Sequence, residues 1–186
     1  ALSIGPALLV VVFGGGRVGL AAWGRGEARA MALEHDRSLE QLLAQTIAGA
    51  FPYRGNVARP GASGLLFVGE PDRITLVTVA PPIPASTPIA FTAVHVSRDE
   101  QGLTVRQLVL PNPDPVDRTA PVLRDSAVVA LRFRYLGKEA ETWSDRWEMG
   151  KEDGLPRAVE IRLATSVSGR VVEQPPLVIS VRALTP

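Results

Sequence analysis

Side chains able to move protons or hold metals are few and scattered along this chain. The two histidines are His35, in a charged helical stretch, and His95, within Ala93-Val94-His95-Val96. Imidazole is the usual acid–base group and metal ligand near neutral pH, yet neither histidine has a carboxylate or a second histidine at metal-ligand spacing. His95 alternates with Val94 and Val96, so it is expected to face solvent opposite a core. Asp114 and Asp117 lie in the loop Pro113-Asp114-Pro115-Val116-Asp117 and would offer carboxylate oxygen to calcium. Such a site takes about six to eight oxygens and a glycine-assisted turn, so a solvated turn is the reading adopted. Glu139, Glu141, Asp145, Glu148, Glu152 and Asp153 are interleaved with Lys138, Arg146 and Lys151, the pattern of a charged rim. A hydrolase would need a carboxylate pair that meets only in the fold, for example Asp145 with Glu160, and no signature supports it.

Other chemistries fail on residue type or spacing. With no cysteine, thiolate nucleophiles, thiolate zinc sites and disulfides are excluded together. No G-x-S-x-G occurs, and Gly61-Ala62-Ser63-Gly64 lacks that spacing. Gly14-Gly15-Gly16 is followed by Arg17 but by no lysine and Ser/Thr pair, so it is not a phosphate loop. Glycines in an apolar segment instead permit close helix approach. Trp143 and Trp147, four apart, would either stack a glycan or peptide or pack in the core. Neither a catalytic, a cofactor-binding nor a metal-ligating residue is assigned, and no cofactor is expected. Twenty basic against 19 acidic residues give a net charge of +1, which exerts no general pull on nucleic acid. Lys138 and Lys151 are the only lysines among those basic residues, an arginine skew that fits a GC-rich genome.

Residues 1–23 carry one charge, Arg17, and Ala7 to Phe13 reads ALLVVVF. A bilayer span needs about 20 apolar residues, a length reached here only by including Gly14 to Arg17. A partial transmembrane helix is the leading reading. A cleaved signal peptide with Gly19 to Ala22 near the cleavage site, and a buried core helix, are its rivals. No basic stretch precedes the apolar run and the first residue is Ala, so the natural chain is expected to begin further upstream. Residues 24–51 then turn charged. Leu39, Leu42, Leu43, Ile47 and Ala50 fall on one face of a helix, with Ala28, Ala32 and His35 continuing the stripe. Phe51-Pro52 ends it. One helix over about residues 7–50, apolar first and amphipathic afterwards, is predicted.

Residues 52–186 read as β-structure. Runs over 64–69, 73–80, 89–98 and 103–110 are apolar or alternating, the last two flanking the hairpin-sized Asp99-Glu100-Gln101-Gly102. Val129, Leu131, Phe133 and Tyr135 alternate with Arg132 and Arg134. Val159, Ile161 and Leu163 alternate with Glu160 and Arg162, and Leu177, Ile179 and Val181 repeat the pattern. Alternation of this kind predicts antiparallel sheet with one wet face, and prolines at 81, 82, 84, 88, 111, 113, 115, 121, 175 and 176 mark the loops. The predicted architecture is α+β: one long N-terminal helix followed by roughly eight short strands.

Several of these segments also resemble a known family. Gly19-Leu20-Ala21-Ala22-Trp23 with Arg25 to Ala30 resembles the helix of J-class minor pseudopilins of type II secretion (general secretion pathway protein J). Leu131-Arg132-Phe133-Arg134-Tyr135-Leu136, then Trp143 and Trp147, then Leu155-Pro156-Arg157-Ala158-Val159-Glu160, are similar to that family's late strands in order and spacing. The prepilin cleavage pattern, with its glutamate near the mature start, is absent from Ala1 to Pro6, so peptidase processing is carried onto no residue here, while methylation is what the resemblance implies for the family member as a whole. The resemblance implies a pilin-like fold, an inner-membrane single-pass helix and a periplasmic globular domain in a Gram-negative bacterium. It also implies a place at the pseudopilus tip beside I-class and K-class pseudopilins, then the H class, through the N-terminal helix, with a secreted exoprotein as a further partner. No enzymatic activity is implied. The competing reading is a membrane-tethered periplasmic module that binds glycan or peptide through Trp143 and Trp147.

Overall fold

The structure, a computed structural model, describes residues 30–31, 33–55, 64–84, 91–148 and 154–181. The apolar segment 1–23, the Gly14 to Gly16 run and Gly61 to Ser63 therefore lie outside the described residues. Among those described, no helix is long and apolar enough to cross a membrane. The chain divides into two compact units, Ala1–Leu39 and Glu40–Pro186.

Helix α1 covers residues 33–48. Residues 30 and 31 are helical too, and in the first unit the side chains Met31, Leu33 and His35 are exposed. That corrects the stripe expected through His35: the buried face is narrower and begins at Leu39. In the second unit Leu43 and Ile47 are fully buried, and Thr46 beside them is 1% exposed. Spacing of three and four residues explains this, since those positions share one helical face. Thr78 Oγ1 donates to the Thr46 carbonyl at 2.8 Å, and Ala50 forms an antiparallel bridge with Thr78. Gly49 is required at that corner, because a Cβ there would lie 2.8 Å from Thr78 Oγ1 and 2.9 Å from Ala80 Cβ.

Among the described residues twelve strands follow. Strands β1 (Arg54–Gly55) and β2 (Gly64–Leu65) form a small antiparallel pair. A six-stranded sheet contains β3 (Phe67–Gly69), β4 (Arg73–Thr78), β5 (Thr92–Asp99), β6 (Gly102–Val109), β7 (Pro121–Asp125) and β9 (Trp147–Glu148) in the order β7-β6-β5-β4-β3-β9. In the second sheet β10 (Ala158–Val167) pairs with β8 (Val128–Leu136) on one side. Its other side takes β11 (Arg170–Glu173) and β12 (Leu177–Ser180) end to end. All pairings are antiparallel. The fold is α+β. The β5–β6 turn sits where predicted, with Gly102 at φ +111° closing it opposite Asp99.

The alternating residues build the core. Leu131, Phe133 and Tyr135 of β8 and Val159, Ile161 and Leu163 of β10 are buried together with Leu76, Val94, Val96 and Val105 of the first sheet. Strand β8 is tied across the sheets by Phe133 N–H donating to the Pro71 carbonyl at 2.8 Å. The Phe67 and Tyr135 rings meet edge to face at 6.2 Å. Strand β5 departs from the alternation rule, being buried on both faces from Thr92 to Val96. Its second face is roofed by the proline-rich stretch, whose Leu110 and Val116 join Val77 and Ala93 in a separate small core edged by Tyr53 and Phe91. A 3₁₀ turn, η1 (Val116–Arg118), lies in that roof. The unpredicted strands β1, β7, β9 and β11 share a cause: each is short and sits at a sheet edge or end, where apolar periodicity is weakest. Pro121 opens the edge strand β7, a place where a missing N–H costs no ladder bond.

Candidate functional site

His95 is the titratable group that the fold treats least as expected. It is 8% exposed instead of facing solvent, because the roof over β5 covers it. Its Nδ1 is 2.8 Å from Thr75 Oγ1, the residue opposite it on β4. Burial holds its pKa below the ordinary imidazole value; Asp117 opposes that effect, while Arg106 and Arg73 add to it. The neutral ring is thus favoured, as a satisfied structural histidine. Roof and sheet are also joined by Arg106 Nε, which donates to the Thr119 carbonyl at 2.9 Å. His35 is exposed on α1.

The remaining candidates fall into separate places. Asp114 and Asp117 stay in an exposed loop, where the Asp114 amide donates to Asn112 Oδ1 at 2.9 Å. Trp147 is 7% exposed and its indole N–H donates to the Gly154 carbonyl at 3.1 Å, while Trp143 is half-buried. The two indoles therefore do not form an exposed pair, which is what a stacking site for glycan or peptide requires. Among the described residues no group of three or more metal-ligating side chains gathers.

Asp145 and Glu160 do come together, in a setting unlike a hydrolase pair. The Tyr135–Ser144 bridge, with both N–H to carbonyl bonds at 2.8 Å, lays residue 145 beside β8. Asp145 then contacts Arg132 at 3.0 Å and Arg134 at 3.7 Å, and Glu160 contacts Arg134 at 3.8 Å and Arg162 at 2.9 Å. Each carboxylate is flanked by two guanidiniums, so both are occupied in ion pairs. Sequence reasoning saw the arginines only as the wet side of β8. The signal available was that Glu160 and Arg162 continue the same outward alternation on the neighbouring strand.

What this arrangement defines is a helix and a β-rich domain whose polar side chains are committed to contacts within the domain. Comparisons with known proteins agree. The family model for type II secretion system (T2SS) protein J matches residues 29–174. A type II secretion system protein J of Xanthomonas campestris pv. campestris is 28% identical over 148 residues, covering 74% of this chain and 69% of that protein. The chain belongs to the protein J family, and it is a minor pseudopilin of the type II secretion system. That family is a structural component of an envelope-associated machine and works with its other components.

Proposed function

We propose that the chain is a non-enzymatic subunit of the pseudopilus tip, aiding export of folded proteins across the outer membrane. Residues 1–23 would belong to an inner-membrane anchor, 24–51 to the amphipathic continuation of that helix, and 52–186 to a periplasmic domain. Its nearest partners would be the I-class and K-class pseudopilins, followed by the H class, met through the helix. The observation that carries this reading is that Met31 and Leu33, at the start of the described helix, are each 61% exposed. Large apolar side chains left in water on a helix are suited to burial against other helices.

The test is co-purification of the full chain, in non-ionic detergent, with the I-class and K-class proteins of the same genome. A stable complex is expected, weakened at least tenfold by Met31→Asp with Leu33→Asp. Absence of any complex, with all three proteins folded, would sink the tip assignment.

A further inference from the structure

The outer face of the second sheet carries five charges in an unbroken chain of contacts, running Arg132, Asp145, Arg134, Glu160, Arg162. Signs alternate along it, so it begins and ends on a cation. Strand register then brings those two ends together: Arg132 and Arg162 are directly opposed across β8 and β10. Opposed side chains on one sheet face have Cβ atoms about 5 Å apart, and like charges placed so repel. The core does not demand this pair, since both arginines are exposed while their neighbours Leu131, Phe133, Ile161 and Leu163 supply the buried side chains.

Each terminal guanidinium is anchored yet open. Arg162 is held through Nε by Glu160, itself only 7% exposed, and Arg132 through one terminal nitrogen by Asp145. Their side chains are 53% and 57% exposed. A guanidinium has more N–H donors than one such contact uses, and its planar fork matches a carboxylate. Because both side chains are already fixed, less rotamer freedom is lost when an acceptor arrives.

We propose that Arg132 and Arg162 form a docking point for an Asp or Glu side chain of a partner protein in the secretion assembly. Three arginines against two carboxylates leave the array at +1, which a single carboxylate neutralises and a phosphate dianion exceeds. Val178 lies on the same face opposite Glu160 and is 56% exposed, an apolar footing that a protein segment can cover and a free anion cannot. The choice of a secretion-system partner rests on the pseudopilin assignment; the carboxylate chemistry does not.

Isothermal titration of the full chain with acetylated hexaglutamate tests it, with hexalysine and inorganic phosphate as comparisons. Saturable binding is expected, weakening as salt rises, reduced at least tenfold in R132Q/R162Q and unchanged in R118Q/R170Q. Loss of Arg162 strips Glu160 of its closest cation and could impair folding, so R132K/R162K is the second variant. It keeps every charge, loses the fork, and should also bind at least tenfold more weakly. Wild-type affinity in R132K/R162K, an equal loss in R118Q/R170Q, or displacement of the peptide by phosphate at equal concentration would overturn the proposal. Co-purification with other pseudopilins reads the underlying assignment separately, so a chain that assembles but binds no hexaglutamate overturns this proposal alone.

Discussion

Gly69 and Tyr135 show how closely single residues are fitted here. The Tyr135 ring is fully buried against Gly69, so a Cβ at position 69 would fall inside the ring's van der Waals surface. Tyr135 cannot simply move aside, because its hydroxyl donates to the Glu70 carbonyl at 3.0 Å. Overpacking a filled core typically costs about 1–3 kcal/mol, and Gly69→Ala should therefore lower the urea midpoint by at least that equivalent, with an unchanged m-value. His95 supplies a pH dependence. Its folded pKa lies below the unfolded value of about 6.5. The folded state thus takes up a proton less readily than the unfolded one, so stability is full above pH ~6.5 and declines as pH falls from there towards the folded pKa. Urea titrations at stepped pH should show that decline, and His95→Gln should flatten it. Persistence of the same slope in His95→Gln would assign the effect to other groups.

Among the elements, the end of α1 and the roof over β5 decide how the domain closes. Ile47 is fully buried, and Ile47→Ala should cost about 2–5 kcal/mol by leaving a cavity. Met31→Ala, on the exposed stretch, should stay within about 0.5 kcal/mol. Comparing the two denaturation midpoints checks both. These two positions also mark what periodicity can and cannot tell. The stripe of Leu39, Leu43 and Ile47 was legible because helical burial repeats at three and four residues, and the strands β4, β5, β6, β8, β10 and β12 were legible from alternation. His95 was misplaced because alternation reports only which residues share a face. It cannot report that a loop of prolines, carrying Leu110 and Val116, will fold back and bury the second face. The Asp145–Glu160 association was legible only as a pair of carboxylates. The arginine between them depends on strand register, which no local pattern encodes.

For the whole molecule, the family match runs from residue 29 to 174 and so takes in the described helix, the six-stranded sheet and all of the second sheet except β12. An assembling subunit needs a rigid domain and a surface for neighbours, and the observed distribution of groups suits both. Polar side chains such as His95, Tyr135 and Trp147 are committed to internal bonds, while Met31, Leu33 and the Arg132–Arg162 face are left outward. Contacts between subunits leave no fixed residue spacing in a sequence, so outward groups of this kind carry no motif. Deleting the gene in its own bacterium and assaying type II-dependent proteins in the culture supernatant tests the proposed role in secretion most directly. The account predicts that those proteins accumulate in the periplasm and return to the medium when the wild-type chain is supplied from a plasmid. Undiminished secretion in the deletion strain would contradict it.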